Sequence, residues 1–181
     1  LLCFFALSCF ALFSARAEDG YRLWLRYEPV ADGALRAAYS QALGQVVLAT
    51  PVGTESPTVA AARTELAAGL GGLLGREIAV VVEKTAAPLA DKRDDAYTIR
   101  LETGEAPRVV IAANRDLGAL YGAFALLRQL QTARPVAELD GLAGAPRIKR
   151  RMLNHWDNLN GTVERGAAGN SLWNWFTLPE V

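Results

Sequence analysis

The sequence predicts an α/β (α+β) chain in which a mixed sheet carries packed helices and a second segment of different character follows. Apolar residues alternate with polar ones in several short runs, which is the period of a half-buried strand. Two longer runs repeat apolar residues at helical spacing. The composition then changes, because residues 147–181 contain three of the four tryptophans and the only histidine.

The charge and composition exclude several classes of function. The 181 residues include 19 basic and 19 acidic side chains, so we expect no basic face of the kind that captures nucleic acid. One histidine and two cysteines are too few for a histidine-rich or cysteine-rich metal site. We therefore expect no nucleic-acid partner, no metal and no cofactor.

Residues 1–17 have the pattern of a secretory signal peptide. The run from Leu1 to Phe13 is almost entirely apolar, and Ala15-Arg16-Ala17 supplies the small residues that a signal peptidase requires. A membrane-spanning helix would need a longer run, of roughly 20 residues. Since the only methionine is Met152, we expect the chain to open inside a longer reading frame. The pattern predicts a secreted or periplasmic protein, with a membrane-anchored lipoprotein acylated at Cys9 as the alternative.

The first elements after this segment are a strand and a short helix. Residues 21–27 alternate apolar and polar side chains, which predicts a half-buried strand that Pro29 ends. Asp32 is a favourable N-cap residue, so we expect a helix from there to Ala42, with Gly44 at its end.

A second strand and a long helix follow. Residues 45–49 form a strand pattern, and Ser56-Pro57 is typical of an N-cap followed by proline at the first helical position. We expect this helix to end at Gly75. The glycines between residues 71 and 75 follow no strand, which argues against a phosphate-binding loop. The predicted apolar stripe of the helix is Val59, Ala62, Leu66, Leu70, Leu73 and Leu74.

Three further strand patterns come next. The β-branched run of residues 78–82 predicts a strand, and residues 84–95 form a polar loop. Residues 97–101 alternate again, and Thr103-Gly104 turns the chain into a strand at residues 108–112.

The strongest amphipathic helix of the chain follows Asn114. Gly118 and Gly122 lie one turn apart and leave a smooth patch where helix and sheet can approach closely. Residues 21–131 are thus expected to follow the order β-α-β-α-β-β-β-α. The predicted apolar stripe of the last helix is Leu117, Leu120, Tyr121, Phe124, Leu127 and Leu130.

The domain organisation follows from these elements. Residues 18–131 form an accessory α/β domain, and residues 132–146, with two prolines and two glycines, are predicted to be a linker. Residues 147–181 combine tryptophans with Asn, Asp, Glu and Arg. Aromatic faces stack on the C–H patches of a sugar and polar groups bind its hydroxyls, so this composition indicates a sugar-binding surface. The alternative is that Trp173 and Trp175 belong to a core.

Three motifs in residues 147–181 resemble a known family. They are Arg151–Asn158, Gly161–Gly166 and Ser171–Trp175, and together they resemble the opening of the catalytic barrel of glycoside hydrolase family 67, the α-glucuronidases of xylan breakdown. Upstream, residues 114–128 look like the last helix of that family's N-terminal domain. The same domain type precedes the barrel in family 20 hexosaminidases.

The resemblance implies that residues 147–181 are the truncated start of a (β/α)8 barrel, with its first strand at residues 151–156. Family members hydrolyse with inversion, using one carboxylic acid to protonate the leaving oxygen and one carboxylate to activate water. The resemblance places both carboxylates on later barrel strands. We therefore expect no catalytic residue among these 181 residues and no hydrolase activity of the chain alone.

The same resemblance implies that four residues hold the substrate, a xylo-oligosaccharide bearing 4-O-methylglucuronic acid. Trp156 would form an apolar wall against the uronic acid ring and its methyl group. Glu164 and Arg165 would hydrogen-bond sugar hydroxyls. Asn158 is undecided between binding sugar and bracing the barrel. A homodimer of the full-length enzyme is a further expectation.

Several alternatives stay open from the sequence. A salt bridge between Glu164 and Arg165, and a packing role for Trp156, would explain those residues without a ligand. The chain also departs from the family pattern, because Ala167 stands where an aromatic residue is usual, and this could loosen a loop or a subsite wall. A hexosaminidase-like glycoside hydrolase and a non-catalytic sugar-binding or assembly module are the competing functions.

Overall fold

The computed structural model describes residues 26–85, 88–150 and Met152. The chain divides into two compact units, residues 1–146 and 147–181, and we call the described part of the first unit the sheet domain. Its elements are α1 (Gly33–Ala42), β1 (Gln45–Thr50), α2 (Pro57–Leu74), β2 (Ala79–Lys84), β3 (Tyr97–Glu102), β4 (Arg108–Ala113), α3 (Asp116–Gln131), a 3-10 helix (Val136–Leu139) and β5 (Leu142–Gly144).

The five strands form one mixed sheet in the order β2-β1-β4-β3-β5. β1 is parallel to both of its neighbours, with Val47 opposite Val81 and Val110. β3 is antiparallel to β4 and to the short edge strand β5. The predicted mixed sheet with packed helices is confirmed; the predicted barrel concerns residues outside the described part of the chain.

The main core lies between the helices and one face of this sheet. Alternate residues of each strand point to this face, as the period of a strand requires. The buried stripe of α2 is the one that the sequence predicts, with Gly69 in addition. The sheet residues that are buried in this core are Val46, Leu48, Ile99, Val109, Ile111 and Ala113.

The predicted helix caps are confirmed. Asp32 accepts hydrogen bonds from the backbone N–H groups of Ala34 and Leu35, at 2.9 and 3.0 Å. The Ser56 hydroxyl accepts one from the N–H of Val59 at 3.2 Å. Each cap satisfies N–H groups that have no partner within the first turn of a helix.

The predicted buried face of α3 is wrong in part. Leu127 and Leu130 are buried as expected, but Leu117 and Phe124 are 38% and 39% exposed. The helix instead packs through a face of smaller residues, because large side chains there would hold it away from the sheet. The buried residues of α3 are Gly118, Ala119, Gly122, Ala123, Leu126, Leu127 and Leu130.

The predicted close approach at the two glycines of α3 is confirmed. A Cβ atom on Gly118 would lie 2.9 Å from the carbonyl oxygen of Ala96. On Gly122 it would overlap Ile111 Cγ2 and lie 3.3 Å from the ring of Tyr97. Only glycine therefore lets α3 reach the sheet at these two positions.

The predicted linker at residues 132–146 is wrong for its central part. Leu139, in the 3-10 helix, is fully buried, and β5 pairs with β3 at the edge of the sheet. Gly141 has a φ of 74°, so it makes a tight turn between these two elements. The glycines and prolines of the segment thus belong to turns of a folded element and not to a linker.

Two predictions near the N-terminus have different outcomes. The signal peptide at residues 1–17 and most of the first predicted strand lie outside the described residues, so both stay predictions. At the end of that predicted strand, Tyr27 has a φ of 51° and belongs to no strand. Its side chain is buried, and its hydroxyl donates a hydrogen bond to the carboxylate of Glu65 on α2.

The tyrosines of the sheet domain predict a loss of stability at alkaline pH. Burial raises the pKa of Tyr27, Tyr39 and Tyr97, and the hydrogen bond to Glu65 and its charge add to the effect at Tyr27. Because each folded pKa lies above the unfolded value of 10.0, this stability is fully present below pH 10 and is lost as the pH rises further. Denaturant titrations on either side of pH 10 measure the loss, and Tyr27→Phe is expected to reduce its pH dependence. An unfolding free energy that is equal on both sides would contradict this.

Candidate functional site

The four predicted substrate-binding residues are Trp156, Asn158, Glu164 and Arg165. All four lie outside the described residues, so their roles stay predictions. The candidate site that the structure does describe consists of two concave surfaces of the sheet domain and the polar loop between β2 and β3.

The first concave surface is a groove of about 540 Å³ on the face of the sheet opposite the main helices. Its floor includes Ala49, Val110 and Ala112, which are small enough to leave the groove open. The loop residue Leu89 packs against this floor and forms a second, smaller core with it.

Three of the five charged side chains that line this groove are paired with one another. Arg108 on β4 donates to Glu102 at 2.6 Å and lies 3.3 Å from Glu83. The hydrogen bond and charge of Glu102, and then the charge of Glu83, raise the pKa of the Arg108 guanidinium. Both carboxylates of the groove therefore share one cation.

The second concave surface is a crevice of about 580 Å³ where β1 and β4 end and α2 and α3 begin. The carboxyl ends of neighbouring parallel strands are a common place for ligands in α/β proteins. In this crevice Arg115 lies 3.2 Å from the carboxylate of Asp94. The side-chain amide of Asn114 in this crevice is also hydrogen-bonded within the fold.

Asn114 anchors the loop between β2 and β3, a role that the sequence does not predict. Its amide nitrogen donates to the carbonyl oxygens of Asp91 and Arg93, at 2.6 and 2.9 Å. Its amide oxygen accepts from the N–H of Leu89 at 3.0 Å. These partners lie 21 to 25 residues away along the chain, so no local sequence signal indicates them.

The loop also carries an ion pair between residues 91 and 93. Arg93 Nε donates to the Asp91 carboxylate at 3.0 Å, and the Arg93 backbone N–H donates to it at the same distance. These hydrogen bonds lower the pKa of Asp91 to about 2. The pair therefore stays ionised through the whole pH range in which proteins normally act, and its hydrogen bonds hold the conformation of the loop.

The described residues lack two further features. No group of three or more His, Cys, Asp and Glu side chains within residues 26–85 and 88–150 could hold a metal ion. None of the helices in that part of the chain is both long enough and apolar enough to cross a membrane.

Two family models match this chain in order. The glycosyl hydrolase family 67 N-terminus matches residues 23–90, which contain α1, β1, α2 and β2. The glycosyl hydrolase family 67 middle domain matches residues 129–181, which contain the motifs noted in the sequence. Between them the two matches cover more than half of the chain.

The chain is also similar to proteins that are named as α-glucuronidases. It is 29% identical to Alpha-glucuronidase A of Emericella nidulans over 90% of the chain and 21% of that protein. It is 32% identical to Alpha-glucuronidase A of Aspergillus tubingensis, over 87% of the chain and 20% of that protein. The Probable alpha-glucuronidase A of Neosartorya fischeri is 32% identical over 91% of the chain and 21% of its own length.

The chain spans about a fifth of the length of these curated relatives. The matches begin in the sheet domain and continue through residues 147–181, in the order of the two family models. The chain therefore belongs to glycosyl hydrolase family 67.

Proposed function

We propose that this chain is the N-terminal part of an α-glucuronidase that hydrolyses the α-1,2 bond of (4-O-methyl)glucuronic acid in xylo-oligosaccharides with inversion. The observation that carries the proposal is the succession of the family's N-terminal and middle-domain models along one chain. The relatives named as α-glucuronidases support the same substrate class.

The sheet domain acts in this proposal as an accessory domain. Its carboxylates Glu83 and Glu102 share Arg108, and Asp91 is bound by Arg93. Inverting hydrolysis needs an acid and a base roughly 6.5–9.5 Å apart on opposite sides of the scissile bond. These paired carboxylates are poor candidates for this work, and the family resemblance implies that the acid and the base lie on later strands of a barrel. A complete (β/α)8 barrel takes about 250 residues.

Residues 147–181 supply part of the substrate site in the proposed enzyme. Trp156 forms the apolar wall for the uronic acid ring, and Glu164 and Arg165 bind sugar hydroxyls through charge-assisted hydrogen bonds. Asn158 lies beside them in the sequence and either binds sugar or braces the first barrel strand.

Substrate discrimination tests the proposed function. The full-length protein is expected to release 4-O-methylglucuronic acid from a xylo-oligosaccharide and to leave an N-acetylhexosaminide intact. The chain of 181 residues is expected to release neither sugar. Cleavage of the hexosaminide alone would favour a hexosaminidase-like enzyme. Binding of the xylo-oligosaccharide without turnover by the full-length protein would favour a non-catalytic module.

Replacing Glu164 separates a binding role from a catalytic one. In the full-length enzyme Glu164→Ala is expected to weaken substrate binding by about 1–3 kcal/mol, since a sugar hydroxyl loses its charged partner. The pH profile of kcat/KM should keep its shape, because a hydroxyl ligand does not set the acid and base limbs.

The matched control is Glu105→Ala, an exposed glutamate in the turn between β3 and β4. It is expected to leave binding and the pH profile unchanged. A Glu164→Ala variant that binds substrate normally but loses one limb of the pH profile would show that Glu164 carries a proton in the reaction.

A further inference from the structure

The loop between β2 and β3 is hydrogen-bonded to Asn114 on one side and, through Arg93, to the residue that follows β5 on the other. Asn114 binds Leu89, Asp91 and Arg93 through its side chain, as described above. The backbone N–H of Asn114 donates in turn to the carbonyl oxygen of Ala96 at 3.1 Å. The loop is therefore fixed to the junction of β4 and α3.

From this fixed loop the Arg93 side chain reaches across to the end of β5. Arg93 Nη1 donates to the carbonyl oxygen of Ala145 at 3.2 Å, while Nε and Nη2 bind the Asp91 carboxylate. Ala145 directly follows β5 and precedes Pro146, the last residue of the first compact unit. A planar guanidinium can hold a carboxylate and a carbonyl at once because its donors are arranged in a rigid fork.

We infer that Asn114 and Arg93 are positioning residues that fix the point at which the chain leaves the sheet domain. β5 has only three residues and pairs only with β3 among the described strands, so it depends on contacts beyond its ladder. The Arg93 fork supplies one such contact immediately after it. The substrate-binding residues of the proposed function follow this point in the chain, so its position bears on them.

Hydrogen–deuterium exchange of the chain tests this inference without any substrate. In Arg93→Gln, amides of residues 141–145 are expected to exchange between about twofold and tenfold faster, which corresponds to the loss of one hydrogen bond. Amides of β1 and β4 should not change. Arg93→Lys is expected not to restore slow exchange, because a single ammonium cannot reproduce the fork. Asn114→Ala should speed exchange both in residues 88–95 and in residues 141–145.

The matched control is Arg63→Gln, which removes an exposed arginine near the start of α2 that pairs with Glu55 at 2.8 Å and makes no recorded contact with residues 141–145. It is expected to leave exchange at residues 141–145 unchanged. Equal exchange there in the wild type and Arg93→Gln would overturn the inference. Exchange as slow as in the wild type in Arg93→Lys would also overturn it, since a positive charge alone would then protect residues 141–145.

A second readout uses the full-length enzyme and rests on the proposed function. There Arg93→Gln is expected to raise KM several-fold while kcat changes by less than about twofold and Tm stays constant. An unchanged KM would contradict the positioning role. If the wild-type enzyme released no uronic acid, the proposed function would fail while the exchange result would still decide the inference.

Discussion

Replacing Leu126 by alanine is expected to lower the free energy of unfolding of the sheet domain by about 2–5 kcal/mol. Leu126 is fully buried in the main core, so the substitution removes apolar contacts and leaves a cavity that the rigid sheet cannot fill. Against a typical domain stability of 5–15 kcal/mol this is a large fraction. Chemical denaturation monitored by circular dichroism measures the change.

The matched control for Leu126 is Phe124→Ala on the same helix. Phe124 is larger, but 39% of it is exposed, so its removal is expected to cost about 1 kcal/mol or less. The pair directly tests which face of α3 is buried. A larger loss for Phe124→Ala than for Leu126→Ala would restore the face that the sequence predicts and contradict the structure.

Replacing Gly122 by alanine is expected to destabilise the sheet domain by about 1–3 kcal/mol, and valine by more. The added methyl group would overlap Ile111 on β4, so the helix or the strand must move. In most helices the same substitution stabilises, because alanine is the better helix former. The sign of the effect therefore reports the close approach of helix and sheet.

Gly71→Ala is the control for this second prediction. Gly71 also lies in a helix, but a Cβ atom there would meet nothing within 4 Å. Its replacement is expected to stabilise the domain by up to about 1 kcal/mol. If Gly122→Ala also stabilised the domain, the close contact between α3 and β4 would be refuted.

Much of the sheet domain is predictable because local signals and burial agree there. Asp32 and Ser56 cap the two helices that the sequence predicts, and the apolar stripe of α2 is the one that packs on the sheet. The order of strands and helices between residues 45 and 131 also follows from the spacing of apolar residues.

The errors have physical reasons of two kinds. On α3, hydrophobicity alone predicts that Phe124 is buried. The short distance between helix and sheet instead requires small residues around Gly122 at the buried face. In residues 132–146, glycine and proline indicated a linker, whereas Leu139 and Leu142 draw the segment back onto the sheet. Both outcomes depend on tertiary packing, which periodicity along the chain does not contain.

Some residues of the candidate site are likewise predictable from the sequence and others are not. The Arg93 and Asn114 contacts join residues that are far apart in the sequence, so no local pattern could indicate them. The proposed sugar-binding residues Trp156 and Glu164, in contrast, come from sequence motifs and from family membership.

The configuration of the first product tests the central claim, an inverting α-glucuronidase, most directly. Proton NMR of the full-length enzyme with a xylo-oligosaccharide bearing 4-O-methylglucuronic acid resolves the two anomers before mutarotation mixes them. Because the substrate bond is α, inversion predicts that the β-anomer of the free uronic acid appears first, followed by slow growth of the α-anomer. Initial accumulation of the α-anomer, or release of xylose units with the uronic acid still attached, would contradict the account.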